Sequence, residues 1–389
     1  MSLPSLRRRV FAWFSRNSRE LSWRGTRNPY EILVSEIMLQ QTTVAAVEGY
    51  YRRFLQRFPN VESLAAAELT EVYRYWEGLG YYRRASQLHQ AAGVIAGKHG
   101  GIFPQTFDEV LALPGVGRYT AGAVLSIAYD QRLPILEANT IRLHCRLLGL
   151  TTNPFEMETN KRLWTFAEEI LPYKNVGRFN QALMDLGSRV CTLKQPQCLR
   201  ETPCPLFEWC QAARLGLQRE IPVPKVKPNV EAVTEIAVLV RKRGRILLVQ
   251  YPDGVRWAGL WDFPRCRDDG FVTETLGELT GRRITTGRQI ATHKHTVTRF
   301  KITLRFVEGK DCGPLSEPQY AVRWVTPEEL NALPMNSSGR KLLRSNIVGE
   351  KFAAGTGNHD FADQKPTLPD SVGRRSNSCG HVGNRTGQQ

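Results

Sequence analysis

Residues 113–121 read Leu113-Pro114-Gly115-Val116-Gly117-Arg118-Tyr119-Thr120-Ala121, and this stretch decides the fold of the first half. A helical pattern over 107–113 leads into it and another over 119–128 leads out, so Pro-Gly-Val-Gly predicts a tight hairpin between helices. Gly115 and Gly117 allow backbone N–H groups to approach a ligand closely, and the second helix offers its positive N-terminus. Such an element binds phosphate without reading base sequence. The alternative is a structural glycine-rich turn, which the flanking helices disfavour.

The rest of the first half is also helical in pattern. Asn28-Pro29-Tyr30-Glu31 and Thr106-Phe107-Asp108-Glu109 each place a capping side chain before a helix and an acid three residues later. From Ile221 to Pro228 the chain becomes extended and basic, with three prolines, which indicates a linker. We therefore predict an all-α helix-hairpin-helix domain over residues 1–220 and a linker over 221–230.

The second half has the two-residue period of strands. From Phe300 to Phe306, apolar residues alternate with polar ones, and Ile246-Leu247-Leu248-Val249 predicts a buried strand. Thr326-Pro327-Glu328-Glu329 begins a helix with a capping box. This half is predicted to be an α+β domain over residues 231–348. Residues 349–389 contain almost no large apolar side chains, which is typical of a disordered tail.

Charge and hydropathy restrict the class of protein. The 389 residues include 53 basic and 37 acidic ones, a net charge of +16, which favours a polyanionic partner because each neutralised phosphate releases counterions. Binding to a membrane surface and simple solubility are the alternatives. No apolar run approaches the roughly 18 residues that a membrane span needs. The N-terminus lacks the apolar core of a signal peptide, so we expect a cytoplasmic, non-membrane protein.

Four of the eight cysteines fall within one short segment: Cys191, Cys198, Cys204 and Cys210. In a reducing compartment such a group indicates a metal site rather than disulfides. Four thiolates suit a [4Fe–4S] cluster or an all-cysteine zinc site, and a loop of free thiols is the third alternative. The hairpin and this loop together resemble the endonuclease III superfamily of DNA glycosylases. The resemblance implies a [4Fe–4S] cluster, although here the second interval between cysteines is longer than in the superfamily.

Ser35-Glu36-Ile37-Met38-Leu39-Gln40-Gln41-Thr42 carries a candidate acid. Glu36 lies on the helix face of Ile32 and Leu39, and apolar neighbours should raise its pKa. Taken alone, a glutamate usually lies on a solvated face. The whole string, however, resembles the active-site helix of adenine DNA glycosylases of the MutY type. That resemblance implies that Glu36 is the general acid that protonates adenine.

The same resemblance assigns further residues. It extends through Gly78-Leu79-Gly80-Tyr81-Tyr82 and Phe179-Asn180-Gln181-Ala182. Aromatic wedges and amide side chains are what base extrusion requires, although Tyr81 alone also suits a helix core. The residues implied to contact DNA or the extruded base are Trp23, Arg24, Leu39, Gln41, Thr42, Tyr81, Gly115, Gly117 and Gln181.

Pro134-Ile135-Leu136-Glu137-Ala138-Asn139-Thr140 both matches the family and departs from it. The family has an aspartate and a glycine where Glu137 and Ala138 stand, and that aspartate stabilises the sugar cation. Glu137 keeps the charge but moves it by about 1 Å, a shift that can matter for rate. Asn139 keeps the family identity. The alternative is a capping or surface glutamate without a catalytic role.

Tyr119 separates two kinds of glycosylase. Bifunctional members place a lysine here, whose amine attacks the sugar and cleaves the strand through a Schiff base. Tyrosine cannot do this, so Tyr119 belongs with the catalytic group and predicts base hydrolysis that leaves an abasic site. A pyrimidine-lesion glycosylase/lyase and a non-catalytic DNA-binding relative are the competing hypotheses.

The second half resembles the Nudix-like domain of adenine glycosylases, most clearly at Trp257-Ala258-Gly259-Leu260-Trp261-Asp262-Phe263-Pro264. It lacks the Arg-Glu…Glu-Glu string that holds Mg²⁺, so we expect it to bind rather than hydrolyse. The family reads 8-oxoguanine where Val297-Thr298-Arg299 stands, and the Thr298 hydroxyl is the candidate contact; a plain β-hairpin is the alternative. The expected partner is duplex DNA with 8-oxoguanine:A or G:A mispairs, bound by a monomeric bacterial enzyme.

Overall fold

The computed structural model describes residues 2–199, 204–223, 229–297 and 299–344. The core of the predicted linker, Thr298 and the predicted tail lie outside these ranges. The domain limits given above therefore stay predictions.

The described part of the chain up to residue 214 is helical. Its helices are α1 Leu3–Asn17, α2 Pro29–Leu39, α3 Val44–Arg57, α4 Val61–Ala65, α5 Leu69–Trp76, α6 Arg83–Lys98, α7 Phe107–Leu111, α8 Arg118–Tyr129, α9 Ala138–Leu148, α10 Met157–Glu169, α11 Val176–Asp185 and α12 Gln211–Arg214. A π-helical turn, Leu186–Val190, extends α11. No helix of the described residues is both long and apolar enough to cross a bilayer.

Helix α2 is the centre of this half. It begins as predicted, because the Asn28 side chain accepts the N–H of Tyr30 at 3.0 Å and so satisfies one of the first free donors of the helix. Residues 32–38 are all buried. A helix that is buried on every side must pack against several neighbours, and α2 contacts α3, α6 and α8.

The predicted helix-hairpin-helix is confirmed, and it consists of α7, the turn and α8. Gly115 has φ +76°, a conformation that favours glycine, and a Cβ there would lie 2.7 Å from the Cβ of Gln87. Gly117 is the N-cap of α8. The turn therefore leaves the N-terminus of α8 accessible at the hairpin.

The second half contains a mixed sheet in the order β3-β2-β1-β6-β5. Its elements are β1 Glu231–Lys242, β2 Arg245–Gln250, β3 Trp261–Asp262, β4 Arg265–Arg267, α13 Val272–Thr280, β5 Arg282–Val297, β6 Phe300–Pro314, β7 Ala321–Val325, α14 Pro327–Ala332 and α15 Ser337–Arg344. Strand β1 runs parallel to β6 and antiparallel to β2 and β4. Strand β6 also pairs antiparallel with β5.

The predicted alternation along β6 is confirmed. Ile302, Leu304 and Phe306 are buried in an apolar cluster on one face of the sheet. On the other face Arg305 forms an ion pair with Asp268 at 2.5 Å.

The two halves touch through their loops. Leu260, between β2 and β3, is fully buried in the main apolar cluster of the helical half. The Tyr82 hydroxyl, just before α6, donates to the carbonyl of Met335 at 3.2 Å. The sheet half thus packs against the α5–α6 region of the helical half.

Candidate active site

Glu36 is a buried acid held by one phenol. Its side chain lies on α2 with only 5% of the residue exposed, and the Tyr119 hydroxyl donates to its Oε2 at 2.6 Å. Burial raises the pKa of Glu36 to about 7; the hydrogen bond from Tyr119 opposes the rise, and the charge of Glu137 adds to it. The carboxyl therefore holds its proton through a large part of the neutral range.

Tyr119 lies in the first turn of α8, directly after the hairpin. Burial raises its pKa well above the usual value, and the charges of Glu36 and Glu137 raise it further, so the phenol stays protonated and donates. Sequence reasoning used Tyr119 only to exclude a lysine nucleophile. Its contact with Glu36 spans 83 positions of the chain, and no local pattern signals such a contact.

Glu137 is the N-cap of α9. Its carboxylate accepts the N–H of Asn139 at 2.8 Å and of Thr140 at 2.9 Å, and the Asn139 amide at 3.1 Å. Burial has the largest effect and holds the pKa of Glu137 above its usual value, although these hydrogen bonds and the charge of Arg142 lower it. Glu137 accepts three hydrogen bonds and Glu36 accepts one from Tyr119, so the negative charge is better stabilised at Glu137.

Asn139 orients Glu137 rather than standing apart from it. Its side-chain oxygen accepts Arg142 Nη2 at 2.9 Å, which leaves the amide nitrogen to donate to Glu137. Gly187 packs so closely that a Cβ there would lie 2.7 Å from the Asn139 carbonyl oxygen. Glu137 therefore does cap a helix, as the alternative interpretation expected. It caps α9 at a position where its charge also acts on Glu36 and Tyr119.

One face of α11 borders this pair. Gln181, Met184 and Asp185 share that face because they are three and four positions apart. The Met184 sulfur lies 3.4 Å from the Tyr119 hydroxyl, which places the face beside the carboxyls. Asn180, in contrast, points away and donates to the Leu133 carbonyl at 3.0 Å within the core.

Asp185 links α11 to the loop before α2. It is fully buried and accepts Arg24 at 2.7 and 3.0 Å and Arg19 at 2.5 Å. Burial acts to raise the pKa of Asp185, but the hydrogen bonds and charges of Arg24 and Arg19 prevail and hold it below the usual value. Arg24 is thereby fixed close to the candidate site. Sequence reasoning named Arg24 but not the acid that holds it.

Two residues implied to reach the base or the DNA stack also pack against the core. The Trp23 ring is buried, edge-on to Tyr51 at 5.5 Å between centroids. Leu39, the last residue of α2, is half-buried and packs against the same cluster. Leu39 lies at the helix end, where a change of rotamer would expose it, whereas Trp23 is enclosed.

Two exposed turns form the rim of the site. Gln41 and Tyr81 have φ angles of +57° and +49°, which residues other than glycine seldom adopt. The large aromatic side chain of Tyr81 is also 51% exposed. Buried Arg84 joins the turns, since it donates to the Thr42 hydroxyl at 3.1 Å and to the Gly80 carbonyl at 3.2 Å. Sequence reasoning missed Arg84, because a lone arginine at a helix start carries no signal of burial.

The four clustered cysteines line one cavity. Leu143, Leu206 and Arg146 share its wall, and Arg146 Nη1 lies 3.3 Å from the Cys191 sulfur. Among the residues that the structure describes, no three thiol, imidazole or carboxyl groups lie close enough to hold a single metal ion. Cys191, Cys198, Cys204 and Cys210 nevertheless face one shared cavity, so they are the residues that could hold a larger group.

The hairpin of the second half is only partly described. Strands β5 and β6 meet at residues 297–300, where the Arg299 guanidinium lies 5.1 Å from the Phe300 ring centroid. Thr298, the candidate contact to 8-oxoguanine, lies outside the described residues. Helix α13 carries two carboxylates, Glu274 and Glu278, in place of the Mg²⁺-binding string.

A helix-hairpin-helix beside a buried acid defines the class as a base-excision DNA glycosylase. The family described as "HhH-GPD superfamily base excision DNA repair protein" matches residues 34–169, and a NUDIX domain matches residues 236–345. A solved thermostable thymine-DNA glycosylase is 29% identical, with a TM-score of 0.50, and the match covers 55% of this chain and 97% of that one.

Two relatives are more specific about the kind of DNA glycosylase. An adenine DNA glycosylase of Buchnera aphidicola subsp. Acyrthosiphon pisum (strain APS) is 35% identical over 260 residues, which are 67% of this chain and 73% of that protein. One of Mus musculus is 30% identical over 406 residues, covering 88% and 78%. This chain belongs to the adenine DNA glycosylase family, and it is a DNA glycosylase.

Proposed function

We propose that this enzyme removes adenine mispaired with 8-oxoguanine or guanine in duplex DNA. It hydrolyses the N-glycosidic bond and leaves an abasic site. The observation that carries the proposal is the Glu36–Tyr119 pair, a buried carboxyl with a pKa of about 7 at the base of the site. A purine is a poor leaving group unless an acid protonates it, and such a carboxyl can do so near neutral pH.

Glu36 donates a proton to a ring nitrogen of the extruded adenine, so that the base leaves as a neutral molecule. Departure of the base creates positive charge on the sugar, which Glu137 stabilises as a carboxylate while water attacks. Two carboxyls with separated pKa values thereby share the work. Asn139 keeps Glu137 in place, and Tyr119 keeps Glu36 in place.

Base removal proceeds without an efficient lyase step. A Schiff base requires an amine close to the sugar, and at the hairpin position the chain has Tyr119, which stays protonated beside Glu36. Gln181 and Arg24 supply polar contacts for the extruded base in this proposal, since Gln181 shares a face of α11 with Met184, whose sulfur lies 3.4 Å from the Tyr119 hydroxyl. Both are held by α11, directly in the case of Gln181 and through Asp185 in the case of Arg24.

The duplex is held by sequence-independent contacts and opened by the rim. Gly115 and Gly117 present the N-terminus of α8 to a phosphate. In this proposal Gln41 and Tyr81, which are exposed on turns with positive φ angles, enter the base stack together with Leu39 and Thr42. The second domain reads 8-oxoguanine with the 297–299 turn, including Thr298, and the enzyme acts as a monomer in the bacterial cytoplasm.

Cys191, Cys198, Cys204 and Cys210 hold a [4Fe–4S] cluster. The thiols face one cavity with apolar walls, and Arg146 beside Cys191 offsets the negative charge of such a group. When bound, the cluster supplies no step of base removal; it fixes the loop that presents Lys194 and Arg200, of which Arg200 lies outside the described residues.

The test uses three duplexes that contain 8-oxoguanine:A, G:A or T:A. The protein is incubated with each under single-turnover conditions, and abasic sites are then converted to strand breaks with hot alkali. We expect breaks at adenine in the first two duplexes, fastest opposite 8-oxoguanine, and no covalent product with borohydride. Breaks without alkali together with borohydride trapping would instead indicate a lyase. Absence of breaks in all three duplexes would refute the proposal.

A further inference from the structure

One carboxylate of the helical half is held by the sheet half. Glu77 accepts Arg340 Nε at 2.7 Å and Nη2 at 3.1 Å, and the N–H of Met335 approaches at 3.5 Å. The two residues are 263 positions apart, and one lies after α5 while the other lies on α15. This bidentate pair therefore joins the two domains.

The ion pair is rigid and mostly shielded from water. The Arg340 and Glu77 side chains are only 12% and 18% exposed. Arg340 also donates to the carbonyls of Leu333 at 2.7 Å and Leu330 at 3.2 Å, so its guanidinium is fixed within the sheet half. Charge-assisted bidentate bonds of this kind are stronger and more directional than an exposed ion pair.

Glu77 lies directly before the turn that carries Tyr81. Gly78 and Gly80 have φ angles of +104° and +74°, so the chain reverses immediately after Glu77. The Tyr50 hydroxyl donates to the Glu77 carbonyl at 2.9 Å, and Tyr82, on the far side of Tyr81, donates to the Met335 carbonyl. The sheet half therefore holds both ends of the Tyr81 turn.

We propose that Glu77 and Arg340 form an interdomain clamp that sets the position of Tyr81 and thereby tunes preference for the base opposite adenine. Both are positioning residues, and the inference rests on the proposed function, in which Tyr81 enters the base stack at the mispair. The clamp makes the helical half present Tyr81 only when the sheet half is docked. Recognition of 8-oxoguanine from two domains thus becomes one event rather than two independent ones.

The test compares Glu77→Gln with Glu71→Gln. Glu71 is a matched control, because it lies on α5, the helix that ends just before Glu77, and also holds an arginine in two bonds, at 2.7 and 2.8 Å, but that arginine, Arg57, belongs to its own domain. Glutamine keeps the shape of the side chain and loses the charge. We expect Glu77→Gln to lower the ratio of excision rates on 8-oxoguanine:A and G:A at least fivefold, and Glu71→Gln to leave it within twofold.

A second readout separates positioning from plain stability. In a Tyr81→Ala background the clamp has nothing to position, so Glu77→Gln should change the ratio less than twofold further. Amide hydrogen exchange of residues 78–84 in the DNA-free protein should accelerate in Glu77→Gln and not in Glu71→Gln. Additive effects of Glu77→Gln and Tyr81→Ala, or unchanged exchange in this segment, would overturn the clamp.

Failure of the proposed function has a different signature. If the wild-type protein excised adenine equally from both mispairs, or not at all, the proposed specificity would fail. The exchange measurement would still report whether residues 78–84 depend on Glu77. Arg340→Lys, which keeps the charge but loses the bidentate geometry, should reproduce the exchange result of Glu77→Gln; a wild-type pattern in that variant would also contradict the clamp.

Discussion

Replacing Glu36 by glutamine should abolish adenine excision and stabilise the folded protein above neutral pH. The amide has nearly the same shape as the carboxyl but has no proton to give to adenine. It also removes the free-energy cost of holding a carboxylate in a buried site. The two effects have one cause, the burial that raises the pKa of Glu36.

The magnitude follows from that pKa. A carboxyl with a pKa of about 7 is half protonated at pH 7, whereas one with the usual value of 4.5 keeps its proton in roughly 0.3% of molecules. Between pH 4.5 and 7 the folded protein binds the proton and the unfolded chain does not, so the free energy of unfolding falls as pH rises. The rise of the Glu36 pKa corresponds to a loss of about 3 kcal/mol in the free energy of unfolding of the wild-type protein. The Glu36→Gln variant does not lose this stability, because glutamine does not titrate.

Two assays measure the two effects. Single-turnover excision from an 8-oxoguanine:A duplex should fall below detection in Glu36→Gln, while binding of the duplex stays within a few-fold. Thermal unfolding at pH 5 and pH 8 should show the variant gaining on wild type as pH rises, by roughly 6 to 12 °C for a domain of this size. Glu158→Gln, at an exposed position on α10, is the control and should show no such trend.

Two outcomes would refute the reasoning. Excision at the wild-type rate in Glu36→Gln would remove Glu36 from the role of acid. A difference in melting temperature that does not change between pH 5 and 8 would mean that Glu36 titrates at the same pH in the folded and unfolded states. If activity were lost without the pH trend, Glu36 would be essential, but burial would not be the origin of its raised pKa.

Tyr119→Phe removes the hydrogen bond that lowers the pKa of Glu36, so the alkaline limb of the pH–rate profile should move to higher pH; an unmoved limb would show that the bond is absent in the working enzyme. Glu137→Gln should slow single-turnover excision at least about 100-fold, while Glu137→Asp retains substantial activity or exceeds wild type; wild-type rates in Glu137→Gln would direct attention to Asp185. The purified protein should be brown and contain about four irons, and elemental analysis that finds one zinc instead would exclude the cluster. Cys204→Ser should reduce stability or DNA affinity before it reduces chemistry. Affinity for undamaged duplex should fall steeply with salt, and a salt-independent affinity would contradict a basic binding surface.

Local signals predicted the elements that local physics controls. The caps at Asn28 and Thr106 and the capping box at Thr326 are present, because a cap is decided by residues three positions apart. The alternation along β6 is present because a sheet with one buried face selects every second side chain. The burial of Glu36 agrees with its apolar neighbours at helical spacing on α2, whereas its assignment as the acid came from the resemblance of the whole string.

Contacts between distant parts of the chain were not predictable in this way. The hydrogen bond of Tyr119 to Glu36, the hold of Asp185 on Arg24 and the clamp of Arg340 on Glu77 each join residues from different elements. No periodicity encodes which helix faces which, so charged residues in these pairs look like ordinary surface charges in the sequence. The enclosure of Trp23 was not predictable either, because its assignment rested on a motif, and the fold buries its ring.

The different environments of the two carboxyls follow from where each stands on its helix. Glu36 lies inside α2, where backbone N–H groups are already bonded within the helix and can offer a carboxylate nothing. Among the described residues, the Tyr119 hydroxyl is the one hydrogen-bond donor that reaches the Glu36 carboxyl, so burial dominates and the proton stays. Glu137 precedes α9, where the first N–H groups are free, and two of them point at its carboxylate. The extra methylene relative to aspartate still allows both bonds to form, so the N-cap position itself favours an ionised Glu137 beside a protonated Glu36.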